Sequence, residues 1–464
     1  MLRRAIVCLA LMSAPMAVSA AGDVTEFQLD NGMDVVVIED HRSPAVVHMV
    51  WYRVGAADEP AGHSGIAHFL EHLMFKGTDD LGDGEFSDIV EANGGSDNAF
   101  TSWDYTGYFQ RVAADRLGLM MEMEADRMRD LIITEDQVRT ERSVILEERA
   151  QRLDTSPGGL FNEQMRAALF MNHPYDTTII GWRHEMEQLS LQDARAFYDL
   201  YYAPNNAILI VAGDVQPDEV RALAQEHYGP LAPSEGIVTR ERPAEPPHTT
   251  DRRVVFTDAR VANPYVSRMV LAPAREPGDQ AGAAALMLLA QILGGSNVTA
   301  VLSRQLQVEE GRSLFAGAFY NDTSYDPDSF TLINMPVPGV SLAEAEADLD
   351  RVIATFLETG IDPAQFDRVK FQLAAAQIYA QDDVQGLARE YGVALTSGLS
   401  VADVQAWPDI IAATTIEDVM TAARRVLVDT PSVTGYLSQP AEIAAVVEAD
   451  APIADATTPE EATQ

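Results

Sequence analysis

The chain has 464 residues, 47% of them hydrophobic and 22% charged, which supplies core for two large domains or about three of ordinary size at roughly 150 residues each. Its 71 Asp and Glu against 32 Lys and Arg leave a net charge of -39. That balance excludes a nucleic-acid partner and adhesion to anionic membranes, since both need clustered basic surface. Solubility or a salt-rich habitat accounts for the acidity, with a preference for basic peptides as the weaker reading.

Residues 1–20 read as a secretory signal. Arg3 and Arg4 form its basic start, residues 5–12 are apolar, and Val18-Ser19-Ala20 offers small residues for cleavage before Ala21. The expected destination is the periplasm or beyond, by the general secretory route. Cys8, the single cysteine, falls inside this segment and too far from the cleavage site for a lipoprotein. The mature chain therefore forms no disulfide. No later apolar run has the length of a membrane-spanning helix.

Next, residues 27–29 and 35–38 flank Asn31-Gly32, a strong hairpin signal, and a third strand follows over 46–52. Helical periodicity covers 64–75, 114–131 and 134–152, the last opening with a capping-box pattern at Thr134 to Gln137. Strand patterns return at 98–103, 104–112 and 208–212. Strands followed by runs of helices predict an α+β architecture. Residues 229–252, with Pro230, Pro233, Pro243, Pro246 and Pro247, read as a linker. The order then restarts, with strands at 254–257 and 266–271 and a helix at 283–293. Aligning the helix ends sets Leu286, Leu289 and Ala290 opposite His68, Glu71 and His72. Two copies of one fold are expected, each an antiparallel sheet packed with helices: a first domain over 21–228, a second over 253–438, and a disordered acidic tail over 439–464.

Chemistry concentrates in Gly65 to Phe75. At about 100° per residue, His72 lies roughly 40° from His68 and Glu71 about 60° to the other side, so the three share a stripe. Ile66, Phe69, Leu70 and Leu73 take the opposite, core-seeking side. Two imidazoles four residues apart can hold one zinc ion, and a carboxylate beside them can move a proton from water to a leaving amine. The competing reading is an amphipathic helix whose histidines fall four apart without function. A second helix then carries Glu141 and Glu148, which are seven residues apart and share a face, while Glu147 points away. Period thus selects Glu148 as third ligand. Glu147 and Arg149 are read as a solvated charged face, His63 as a loop residue, and Trp103 as packing.

His68-x-x-Glu71-His72, followed 76 residues after His72 by the end of Glu-Arg-x-x-x-x-x-Glu, resembles the pitrilysin family of zinc metallopeptidases, which includes insulin-degrading enzyme and mitochondrial processing peptidase. Gly94-Gly95-Ser96-Asp97-Asn98-Ala99-Phe100-Thr101, His173-Pro174-Tyr175 and Tyr202-Ala203-Pro204-Asn205-Asn206 extend the likeness. The resemblance implies a zinc endopeptidase with one Zn2+ per chain on His68, His72 and Glu148. It makes Glu71 the catalytic base and Glu141 a supporting residue behind the ligands. It also implies an edge strand at Asn98, Ala99, Phe100 and Thr101 on which an extended or unfolded peptide is laid. Family members carry an Arg and, seven residues on, a Tyr in the second copy; here Val308 and Phe315 fall in those slots and Arg312 is out of register. The expected partner is therefore a zinc-less paralogue supplying that pair in a clam-shell heterodimer, with a homodimer as alternative. A non-catalytic assembly subunit or a peptide-binding scaffold is the competing function.

Overall fold

β-branched runs with no polar alternation form the centre of the first sheet. Its strands are β1 (Val24–Gln28), β2 (Asp34–Glu39), β3 (Ala45–Tyr52), β4 (Ser96–Thr101), β5 (Thr106–Ala113) and β6 (Ala207–Gly213), laid in the order β1-β2-β6-β3-β5-β4. Every residue of β6 is buried, as expected of a strand covered on both faces. The first hairpin pairs Gln28 with Asp34, and its connection over 29–33 uses Gly32 at φ 90°. This computed structural model describes residues 23–440, so the expected export signal and nearly all of the expected tail lie outside the described residues.

The second sheet holds β7 (Arg252–Thr257), β8 (Tyr265–Ala272), β9 (Ser313–Tyr320), β10 (Asp328–Pro336) and β11 (Ser432–Ser438), in the order β7-β11-β8-β10-β9. Without β1, the first sheet reads first, last, second, fourth, third in chain order, and the second sheet repeats that order strand for strand. The duplication expected from the helix alignment is therefore a duplication of topology. One expectation needs correction: the sheets are mixed rather than antiparallel. β6 runs parallel to β2, and β11 parallel to β7. Each closing strand returns after a long helical excursion, which frees it from hairpin geometry.

The helices that build the site in the first half are α1 (Ile66–Leu73), α2 (Glu85–Ala92), α3 (Leu117–Arg129), α4 (Glu135–Arg149) and α5 (Pro157–Leu169). The helix Ala281–Gly294 occupies the place of α1 in the second half, and Leu286, Leu289 and Ala290 are buried in its core. Two seams join the halves. Val36, Met49, Trp51 and Ile210 on the back of the first sheet pack against Ala388, Tyr391 and Val404 of the second half. Phe161 and Met165 of α5 pack against Val433 and Leu437 of β11. No helix among the described residues is long and apolar enough to cross a membrane.

Between His227 and Arg252 the chain has neither helix nor strand, yet it is bolted down. Arg242 reaches Asp58 at 2.9 Å and Asp104 at 2.6 Å in the first half, and Asp326 at 3.1 Å in the second. Arg240 adds a second ion pair to Asp58 at 3.2 Å. Glu245 accepts backbone N–H bonds from Met171, Asn172 and His173. In this stretch roughly every third residue is half-buried, the pattern of an extended strap pressed on a surface.

Candidate metal and catalytic centre

No side chain caps α1 at its own N-cap position: Gly65 enters the helix with φ 88°. Glu59 supplies the missing acceptors, taking N–H bonds from Gly65 at 2.8 Å and Ala67 at 2.9 Å at the start of the helix. Ser64 N–H donates to Glu185 at 2.8 Å, and Trp182 N–H donates to Ser64 Oγ at 2.8 Å. The loop carrying Gly181 thus crosses the start of α1 at close range. Gly181 has φ 83°, and a Cβ there would sit 2.4 Å from the carbonyl carbon of Ser64. We expect Gly181→Ala to lower stability by at least about 1 kcal/mol in urea titration and to weaken zinc retention, because the clash moves the helix that bears both histidines.

On the other side, α4 starts with the capping box read from sequence: Gln137 N–H donates to Thr134 Oγ1 and Thr134 N–H to Gln137 Oε1. Its period brings Glu141 and Glu148 to α1 and leaves Glu147 exposed. Glu148 Oε2 lies 3.6 Å from His68 Nε2 and 3.4 Å from His72 Nε2. Zinc–nitrogen distances of about 2.0–2.1 Å set the edges of a tetrahedral site at about 3.3 Å, so the spacing suits that ion. One donor atom from each of the three residues lies within 4.8 Å of the others. The residues therefore fit the metal that the motif implies.

The surrounding charges serve the same arrangement. His72 Nδ1 is 3.3 Å from Glu141 Oε2, and Lys76 Nζ holds the other oxygen of Glu141 at 2.7 Å. Arg152 Nη1 takes the second oxygen of Glu148 at 2.9 Å. Glu71 accepts a short hydrogen bond from Thr101 Oγ1 of β4. Burial lowers His68 to about 3, keeping its imidazole neutral with a lone pair free. At His72 burial acts the same way, but the bond to Glu141 and the nearby Glu148 and Glu71 outweigh it and raise the pKa; carboxylates that favour a proton there favour a metal cation too. Burial raises Glu71 above the ordinary carboxylate range, against the opposing Thr101 bond. The bond to His72 lowers Glu141.

β4 is the outer strand of its sheet, as the sequence reading requires. Its faces differ: Thr101 meets Glu71, whereas the Phe100 ring packs against Trp51 at 4.8 Å on the far side. His63 is in a loop and Trp103 packs, its Nε1 donating to Thr177 O at 2.7 Å. Arg149 is not on a solvated face. It is buried, bonding Glu163 at 2.7 Å and Gly181 O at 2.6 Å, because α4 turns this side toward α5. Sequence reasoning missed Glu59, Lys76 and Arg152. Lys76 and Arg152 each stand four residues beyond a proposed ligand, a spacing that could have flagged them; Glu59 precedes its helix through an irregular loop and left no signal.

The centre opens into a cleft of about 1710 Å³ whose opposite wall is the second half's Ser267, Met269, Phe319, Thr331 and Ile333. Val308 is exposed, and Phe315 stacks against Phe319, ring centres 6.3 Å apart.

Residues 34–182 match the family described as Insulinase (Peptidase family M16), and residues 188–373 match that described as Peptidase M16 inactive domain. Zinc protease PqqE of Helicobacter pylori is 32% identical over 369 residues, which cover 78% of this chain and 82% of the relative. An uncharacterized zinc protease of Mycobacterium tuberculosis is 32% identical over 345 residues, covering 72% and 75%. The crystal structure of a protease from Helicobacter pylori superposes with a TM-score of 0.84 at 28% identity, covering 90% of this chain and 100% of that one. The periplasmic protease PqqL of Escherichia coli shares the fold, with a TM-score of 0.78 at 19% identity over 96% of this chain and 52% of that chain. With the active-type and inactive-type domains in tandem, the chain belongs to the insulinase family of zinc proteases, peptidase family M16.

Proposed function

We propose that this chain is an exported endopeptidase that holds one zinc ion on His68, His72 and Glu148 and hydrolyses short or unfolded peptides with Glu71 as general base. The observation that carries this reading is the convergence of both histidine Nε2 atoms on one oxygen of Glu148, at 3.6 and 3.4 Å, with Glu71 on the same stripe of α1. Zinc bound there supplies Lewis acidity, which lowers the pKa of water and polarises a peptide carbonyl. Glu71 takes the proton of the attacking water and delivers it to the departing amine nitrogen. Glu141 holds His72 in the tautomer that leaves Nε2 free, and Lys76 keeps Glu141 ionised. The outer edge of β4 over Asn98 to Thr101 aligns the peptide by adding it as a strand, which admits only extended chain.

Metal content with chelator-sensitive cleavage of a quenched peptide tests the reading, and zinc-free turnover would overturn it. A finer outcome concerns pH. A base must be deprotonated, so activity falls as pH drops through the Glu71 pKa. Thr101 donates to the charged form, so Thr101→Val should raise that pKa further and move the acidic limb of kcat/KM to higher pH. An unmoved limb would mean that another group sets it.

A further inference from the structure

Along α5, Gly159, Asn162, Glu163 and Arg166 recur at helical spacing and all face the cleft. Arg166 ends the stripe. Its Nε donates to Tyr175 O at 2.9 Å, its Nη1 reaches Asp328 Oδ1 at 3.3 Å, and its guanidinium lies over the Trp103 indole, 4.0 Å from the ring centre. Its Nη2 is buried and makes no hydrogen bond. Thr178 Oγ1, on the residue after the one that anchors Trp103, also lines the cleft and is also buried without a partner. Buried polar atoms without partners are rare in folded proteins, and these two line one cleft, one over the Trp103 indole and one next in sequence to its anchor, which points to a group that arrives with the ligand.

We propose that Arg166 and Thr178, backed by Trp103, form a subsite for one carboxylate of the bound peptide; this rests on the peptidase reading above. The planar guanidinium fork is suited to carboxylates, and stacking on the indole fixes its plane. Glu163 does not reach the guanidinium, because Arg149 Nη2 holds it at 2.7 Å, and Tyr175 O and Asp328 take Nε and Nη1, which leaves Nη2 as the donor for the ligand. Trp103 stands two residues beyond the end of β4, in the bend that leads to β5, so the subsite lies just past the edge strand that carries Thr101. The carboxylate comes from an Asp or Glu side chain at that position or from the terminus of a peptide ending there. With a net charge of -39 the protein repels acidic peptides at long range, so the selection acts at contact on one carboxylate and persists at high salt.

Zinc-loaded Glu71→Gln protein binding fluorescein-labelled peptides tests this without turnover. Pairs differing by Glu or Gln at each position near the cleaved bond, and as free acid or amide at the C-terminus, separate the two carboxylate sources. At one position the carboxylate should tighten binding at least about tenfold, the scale of a hydrogen bond to a charged group. Arg166→Gln should abolish that ratio, Arg166→Lys should retain part of it, and Thr178→Val should reduce it a few-fold. If Arg166→Gln fails to fold, the lysine and Thr178→Val variants decide. No carboxylate preference in any pair, or a preference untouched by all these variants, overturns the subsite. Zinc-dependent cleavage without carboxylate preference would sink the subsite and keep the peptidase; selective binding by a chain that cleaves nothing would do the reverse.

Discussion

Glu71→Gln is expected to cut peptide hydrolysis by on the order of 10²–10⁴-fold while bound zinc stays at the wild-type level. Glutamine keeps the shape and the hydrogen bond with Thr101 but cannot accept the water proton, and Glu71 is not among the three residues that converge as ligands. His72→Ala should lose both zinc and turnover, since it removes a proposed ligand that also pairs with Glu141. Glu148→Gln and Glu147→Gln make the sharper pair. Glu148 faces both imidazoles, whereas Glu147 is exposed and bonds to Gln151 at 3.0 Å, so only the first should release metal. Metal analysis decides: equal zinc loss from both variants would reject the ligand assignment, and full zinc in His72→Ala would do so more directly.

The second large effect is expected from a partner. Zinc-loaded chain alone should cleave weakly, and a zinc-less paralogue bearing the Arg and Tyr pair should raise turnover by a factor on the order of hundreds, the loss that follows removal of one donor to a developing oxyanion. Val308 and Phe315, in the slots of that pair, offer no donor. The nearby tyrosine of β9 does not replace them. Tyr320 donates to Pro273 O and its ring packs in the second core, so it is committed away from the cleft. Arg312 is held by Asp348 at 2.7 Å. The control is the paralogue with its Tyr changed to Phe, which should rescue poorly. Full activity of a monomer, unchanged by any partner, would defeat the proposal; Arg152, exposed beside Glu148, would then be the donor to replace first.

Much of the centre was legible because helical period is a local property. Glu141, Glu148 and the two histidines needed only the 3.6-residue repeat to fall on facing stripes, and Thr134 with Gln137 announced where α4 begins. Arg149 shows the limit of that reasoning. Period gave its direction, but only the packing of α5 turned that direction into burial, and a charged residue without a visible partner reads as surface. The same holds for Glu59, whose partners are backbone N–H groups that no side-chain pattern reveals. Topology was half legible: the repeat of strand, strand and helix was visible, while the parallel pairing of β6 and β11 depends on long-range return of the chain.

The bolted strap between the halves has a further consequence for an enzyme of this kind. A peptidase that selects its substrates by their extended, adaptable backbone recognises any slack segment of that description, including those on neighbouring copies of itself. Two dozen residues without helix or strand would be such a segment. Arg240, Arg242 and Glu245 spend their hydrogen bonds holding it against the body of the protein, so it cannot rise to form a strand in another molecule's cleft. On the proposed function the strap would resist self-digestion, through a cluster of ion pairs of which one, Arg242 to Asp326, also ties the strap to the second half.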